Sequence, residues 1–367
     1  MVAMLSAWAP GARTLRAWVV GGLTLGALSA MSALSAMAAP AEIKGAGATF
    51  PSQVYLRWAG FYEKQSGSST VSYKPTGSGD GVKQISARTV QFGGSDTPLS
   101  PKDLAERRLV QIPMLVGGIV PVINLPGVGD KRLQLTGELL GDIMAGDVKQ
   151  WSDARIAALN PGLALPTLPI RRIVRAEKSG TTEGLSRYLS NASAHFGAEV
   201  GIGQLPKWTG EVERAEGNDG MVRALKNAPG AIAYVSFDRA QQDHLAGVKL
   251  RNAAGNWVAA SEPAFRAAIL ESDLSKLGDD LASLTDRPGP ASWPITMTSF
   301  ILLDAAPASG DAASPAMRFI YWCFMHGDEL TRGTGFAPIP TTLQARLAAR
   351  FQQVHAQDHQ LPDYMSF

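Results

Sequence analysis

The chain has 367 residues, enough for two or three domains of ordinary size. Hydrophobic residues at 45% and charged residues at 18% exclude wholesale disorder. The 34 Lys+Arg nearly cancel the 32 Asp+Glu, so the basic footprint of a nucleic-acid binder is missing, and the single cysteine, Cys323, excludes an internal disulfide framework and a thiolate metal cluster.

Residues 1–38 hold no acid and two bases, Arg13 and Arg16, followed by an apolar stretch from Ala17 to Ser29 and small residues ending in Ala36-Met37-Ala38. This order of charged region, apolar region and A-x-A site is that of a secretory signal peptide, with cleavage expected after Ala38. Glycine and serine interrupt the apolar run and no basic stop-transfer cluster follows, which argues against a membrane anchor. Removing the segment leaves 34 − 2 = 32 basic residues against 32 acidic ones, a formal charge of zero. An exported, soluble mature chain is expected.

The rest alternates short apolar runs with helical patterns, as α/β proteins do. A helix is expected over 52–66, with Val54, Tyr55, Trp58, Phe61 and Tyr62 on its apolar face and Gly67 ending it. A strand at Val71–Tyr73 and a short helix at 81–88 come next. Ser100-Pro101 starts a helix, Ser as N-cap and Pro at the first helical position. Val110–Val116 and the run from Gly118 to Leu125 read as two successive strands. A helix runs from Thr136 to Met144, and 155–168 reads as loop. Strand Ile170–Arg175, helix Thr181–Leu189, buried strand Ala231–Phe237 and a strand from Trp293 to Leu303 follow, then helices near 313–326 and 341–355. Cys323 falls in an apolar helical run and reads as a core thiol. His355 and His359 have the i, i+4 spacing of a zinc pair, but no third ligand pattern accompanies them, so a solvated surface is expected.

Four loops carry the chemistry. They are Gly45–Pro51, Thr76–Gly81, Phe92–Asp96 and Arg175–Thr182. Three of them lie between a strand and a helix start, where backbone N–H groups and the helix dipole favour an anion. Glycines let an anion approach the backbone, hydroxyls add donors, and Arg175 adds a charged fork. No Walker loop, dinucleotide fingerprint or G-x-S-x-G elbow is present. Each loop alone is an ordinary turn signal. Their co-occurrence without a catalytic residue set is what points to binding.

At these residues the chain resembles the periplasmic phosphate-binding proteins of bacterial ABC phosphate transporters. The resemblance covers nearly the whole chain after residue 38. It rests on GAGATFP at 45–51, GSGDGVKQI at 77–85, FGGSDTPLS at 92–100, NPG at 160–162, RAEKSGTT at 175–182, GNDG at 217–220, PGAIAYV at 229–235 and WPIT at 293–296. It implies an α/β, two-lobed periplasmic binding protein of type II, with its ligand in the interdomain cleft. Lobe I would be 41–121 with 247–367, and lobe II 122–246. The implied phosphate contacts are Thr49 (hydroxyl and backbone), Phe50 (backbone), Ser78, Asp96, Arg175, Ser179, Gly180 and Thr181, with Glu177 orienting the arginine. Two departures stand out. Glu177-Lys178 replaces the family's Asp-Gly, and Gly79-Asp80 replaces Ser-Gly, so Asp80 is expected to face solvent or cap its helix.

Asp96 is the informative residue. A carboxylate beside an anion repels it unless it accepts a proton from the ligand. Phosphate near neutral pH carries an O–H and sulfate carries none, so a fixed acceptor discriminates between the two. The resemblance further implies inorganic phosphate and inner-membrane permease subunits as partners, a periplasmic location, and a monomer without cofactor, catalysis or nucleic-acid binding. The alternatives are a binder of another oxyanion, such as sulfate or molybdate, and a secreted phosphatase-like enzyme on a related scaffold.

Overall fold

The computed structural model describes residues 41–67, 69–279 and 281–366. The expected signal peptide at 1–38 lies outside the described residues. Strands β1 (Ala41–Gly47), β2 (Ser69–Pro75), β3 (Phe92–Ser95), β4 (Leu109–Asn124), β5 (Gln134–Leu135), β6 (Arg171–Arg175), β7 (Glu213–Ala215), β8 (Ala231–Ser236), β9 (Ala246–Gly247), β10 (Lys249–Arg251), β11 (Trp257–Val258), β12 (Thr296–Asp304) and β13 (Phe336–Pro338) form two sheets. The larger runs β2-β1-β3-β12-β4-β8-β6-β7, with β9 and β13 also paired to β4, and the smaller joins β11, β10 and β5.

β4 organises the molecule. Its residues Leu109–Gly118 pair with β12, and Ile119–Asn124 pair with β8. The two strands expected at 110–116 and 118–125 are therefore one strand of 16 residues, buried almost throughout. At about 3.3 Å per residue it is roughly 50 Å long. The glycine pair where the two expected strands meet is a packing feature. A Cβ at Gly117 would lie 2.6 Å from the Phe336 ring, and one at Gly118 would lie 2.1 Å from the Phe265 ring. On either side of β4 the sheet is largely parallel: β1 pairs with β2 and β3, and β6 pairs with β7 and β8.

Helix Ser52–Ser66 buries Val54, Tyr55, Trp58, Ala59 and Tyr62, and Gly67 ends it in the left-handed region. Phe61, expected on that face, is 45% exposed. The buried stripe is centred on Tyr55 and Trp58, which leaves Phe61 at its edge between the cations of Arg57 and Lys64. Ser100 caps the helix Pro101–Arg107 by accepting from Asp103 N, with Pro101 at the first helical position. The stretch read as loop at 155–168 overlaps the helix Ala154–Leu159, started by the Asp153 side chain. Cys323 is buried in helix Gly310–Thr331, where burial raises its thiol pKa well above the ordinary value. The last helix is shorter than expected, Thr341–Leu347 followed by a 3-10 turn, so His355 and His359 do not share a helical face; both are exposed.

Candidate anion-binding site

The carboxyl ends of the parallel strands lead into helix starts. β1 runs into helix Ser52–Ser66, β2 into Ser78–Ser86, β6 into Gly180–Ala192 and β7 into Gly217–Lys226. In open α/β sheets this is where ligands bind, because the first N–H groups of each helix lack intrahelical partners. The loops meet at Ser78. Its Oγ accepts from the N–H of Asp96 (3.1 Å) and of Gly180 (3.2 Å), and its own proton is directed at Asp96 Oδ2 (3.4 Å). Gly180 is the residue that allows this approach. A Cβ there would lie 2.5 Å from Ser78 Oγ and 2.7 Å from Asp96 Cβ. The glycines of the first and third loops serve the same end: a Cβ at Gly47 would lie 2.2 Å from the carbonyl oxygen of Gly94.

Arg175 closes β6 and is 1% exposed. Its Nε donates to Glu177 Oε1 (2.8 Å), and its Nη2 donates to the same oxygen and to Thr49 Oγ1 (2.8 Å). Its Nη1 is buried with no hydrogen-bond partner among the described residues, and the same is true of Thr181 Oγ1. Unmet buried donors cost free energy, and a charged one costs most. An acceptor from outside the chain would complete both.

Asp96 is the acid of the site. Ser299 Oγ donates to its Oδ1 (2.8 Å), and Ser78 approaches Oδ2. Burial pushes its carboxyl up to about 7, held back by the Ser299 bond, the charge of Arg175 and the Ser78 bond. The ring of Phe50 is fully buried, edge-on to Phe336 at 5.1 Å, so any contact it makes with an anion is through its backbone. Ser179 caps its helix, its Oγ accepting from Thr182 N (3.2 Å), while its N–H donates to the Gln204 carbonyl (3.0 Å).

The two departures lie at the rim. Asp80 is half-buried and accepts from Gln84 Nε2 one turn along its own helix, a partner other than the solvent or cap expected. Lys178 is exposed. Its carbonyl accepts from Gly79 N (3.3 Å), and its side chain passes so close to Gly79 that a Cβ there would lie 2.6 Å from its own. Both line a cleft of about 920 Å³ together with Thr76, Lys83, Thr97 and Gln204. No group of three or more side chains suited to a metal ion occurs among the described residues.

Residues 34–325 match the family model described as a PBP superfamily domain. The chain is 38% identical over 312 residues to the phosphate-binding protein PstS of Haemophilus influenzae, across 85% of this chain and 92% of that one. PstS of Xylella fastidiosa is 37% identical over 308 residues, covering 84% of each. The chain belongs to the PstS family of the PBP superfamily. Among solved structures, PfluDING, a high-affinity periplasmic phosphate-binding protein bound with phosphate at pH 8.5, superposes with a TM-score of 0.63 over 84% of this chain and 93% of that one, at 21% identity. The fold is thus the two-lobed α/β fold of periplasmic binding proteins.

Several residues around the site were not singled out from sequence. Ser299 holds Asp96. Tyr234 accepts from Arg175 N (3.1 Å) and shares a 2.7 Å bond with Thr182 Oγ1. Asn218 donates to the Thr49 carbonyl (3.2 Å). Tyr234 did leave a signal: it is a phenol inside the buried aliphatic strand Ala231–Ser236, and a buried hydroxyl needs a partner. Asn218 lies in the GNDG run at 217–220, but neither it nor Ser299 signals its partner, because each meets it through pairing distant in sequence.

Proposed function

We propose that this protein binds inorganic phosphate and delivers it to an ABC importer. The observation that carries the reading is chemical. Two buried donors without partners among the described residues, Arg175 Nη1 and Thr181 Oγ1, belong to the same cluster of loops as a buried carboxylate, Asp96. Donors alone suit any tetrahedral oxyanion. A carboxylate beside them suits one that brings its own proton. In this reading Arg175, Thr181, Thr49 and Ser179 hold the phosphate oxygens, joined by Ser78 and Gly180 once the bonds Gly180–Ser78 and Ser78–Asp96 give way to the ligand, with the backbone of Phe50 behind them. Asp96 accepts the ligand O–H, and Glu177 fixes the plane of the guanidinium. Burial of the whole set strengthens each bond, since no water competes for the donors.

The names of the PstS relatives support this assignment, and those relatives are named as binding proteins. We read the chain accordingly as a non-enzymatic, cofactor-free monomer. Lobe I would comprise 41–121 and 247–367, and lobe II 122–246. The change of partner along β4, from β12 to β8 between Gly118 and Ile119, supports a division close to that boundary. A hinge there would close the loops around the ligand. The partners would be inner-membrane permease subunits, reached from the periplasm after loss of residues 1–38. Among the described residues no helix is long and apolar enough to cross a membrane.

Thermal melts with phosphate, sulfate and molybdate test the reading. Phosphate at one hundred times its Kd should stabilise the fold by about 2.7 kcal/mol, with sulfate and molybdate giving far smaller shifts at pH 8. No shift with phosphate would refute it. A larger shift with sulfate or molybdate would assign another oxyanion, and turnover of a chromogenic phosphomonoester would assign an enzyme.

A further inference from the structure

A closed circuit of hydrogen bonds runs behind the Arg175 side of the site. Arg175 Nη2 donates to Thr49 Oγ1 (2.8 Å). The carbonyl of Thr49 accepts from Asn218 Nδ2 (3.2 Å). Asn218 is the second residue of helix Gly217–Lys226, and the first N–H of that helix, Gly217 N, donates to both oxygens of Glu177 (3.3 and 3.4 Å). Glu177 Oε1 accepts from Arg175, which completes the ring. Asn218 is 3% exposed, and its other amide atom, Oδ1, accepts from Ser236 N (3.4 Å). It therefore joins three segments far apart in the chain: the loop after β1, the helix after β7 and the end of β8.

The circuit also accounts for the glutamate found in place of an aspartate. Glu177 serves two partners, the guanidinium within its own loop and the N-terminus of a neighbouring helix. The positive end of that helix favours the carboxylate. Asn218 reaches from the same helix end to the carbonyl of the residue whose hydroxyl receives Arg175. Thus helix Gly217–Lys226 grips both neighbours of the arginine at once.

We infer that Asn218 is a positioning residue for anion capture: through the Thr49 carbonyl it locks the loop after β1 against Arg175 and slows ligand release. This rests on phosphate binding at the site described above. Asn218 does not touch Asp96, Ser78 or Ser299, so it acts on residence time and leaves the choice between phosphate and sulfate alone.

The test uses the full chain and inorganic phosphate, with release followed by stopped flow. The isosteric Asn218→Asp keeps the acceptor for Ser236 N and loses the donor to Thr49. Asn218→Ala loses both, and Glu177→Gln perturbs the opposite arc of the same ring. Release from each Asn218 variant should be faster by about threefold or more, with the ratio of phosphate to sulfate affinity unchanged. Combined with Glu177→Gln, the acceleration should be less than half the product of the single effects, because both act on one circuit. Release accelerated by less than threefold, a changed anion ratio, or a double variant at half the product or more overturns the inference. So does failure of both Asn218 variants to fold, which would make the residue purely structural. If the parent chain does not bind phosphate at all, it is the underlying functional reading that fails.

Discussion

Arg175 and Asp96 bring opposite charges into one buried site and are held there by different means. Arg175 has a full counter-charge in Glu177, a hydroxyl in Thr49, and one N–H left over. Asp96 is held by hydroxyls, Ser299 and Ser78, with Arg175 acting on it through charge alone. The first arrangement fixes a cation by an ion pair and a hydroxyl. The second leaves an acid poised to change its protonation state near neutrality. In the function proposed above, one side of the site would supply attraction and the other choice.

That contrast can be broken most severely on the arginine side. Arg175→Met strands Glu177 in a half-buried position and removes the charged donor. Breaking a buried ion pair costs about 3–5 kcal/mol, and calorimetric phosphate affinity should fall by two orders of magnitude or more. A loss of less than tenfold would place the anion elsewhere.

The acid side should fail differently. Asp96→Asn retains shape but loses the charged acceptor, worth about 1.5–3 kcal/mol for a hydrogen bond to a charged group. Sulfate should gain on phosphate by about that much at pH 8, and an unchanged ratio in competition titrations would sink the role given to Asp96. The parent protein should show the same trend with pH alone. Because burial raises the Asp96 carboxyl to about 7, it is protonated in the fold at pH 5 and ionised at pH 8. Protonated, it can donate to sulfate, so selectivity for phosphate should narrow as pH falls. The stability of the ligand-free protein follows from the same shift. Its native pKa lies above its unfolded value of 3.8. The native state therefore binds the extra proton between about pH 4 and 7, and stability is lost as pH rises through that window. Asp96→Asn should remove this slope and raise the melting temperature at pH 8, with little change at pH 4.

A smaller effect is expected where the two sides touch. Gly180→Ala places a methyl group against Ser78 Oγ and Asp96 Cβ, and overpacking of this kind costs about 1–3 kcal/mol. Melting temperature and phosphate affinity should both drop. A variant as stable and as tight as the parent would show that the loops can separate without loss.

The loops were legible in the sequence because their chemistry is local. Gly180, Ser179 and Arg175 sit within one short run, and the Ser78 and Asp96 loops carry their own glycine and hydroxyl signatures. What the sequence concealed depends on pairing. Ser299 reaches Asp96 because β12 lies between β3 and β4, and nothing near residue 299 announces that order. Asn218 reaches Thr49 from the other flank of the sheet. The sequence pattern reads as two strands on either side of Gly117, whereas aromatic rings from distant segments fill the space a Cβ would need at Gly117 and Gly118 and the strand runs through. Periodicity places Phe61 on the apolar face, but the buried stripe is centred on Tyr55 and Trp58 and leaves Phe61 at its exposed edge.

The placement of β12 also has a kinetic consequence. Thr296–Asp304 pairs on both edges with strands that were made much earlier, β3 and β4, and without it those two are not neighbours. The sheet built around β1 and β3 cannot be joined to the rest until the last third of the chain is available. Pairings this distant pay a loop-closure cost before they gain any contact, so they form slowly. A nascent chain of this design cannot complete its larger sheet until Thr296–Asp304 has been synthesised, however early its first helices form.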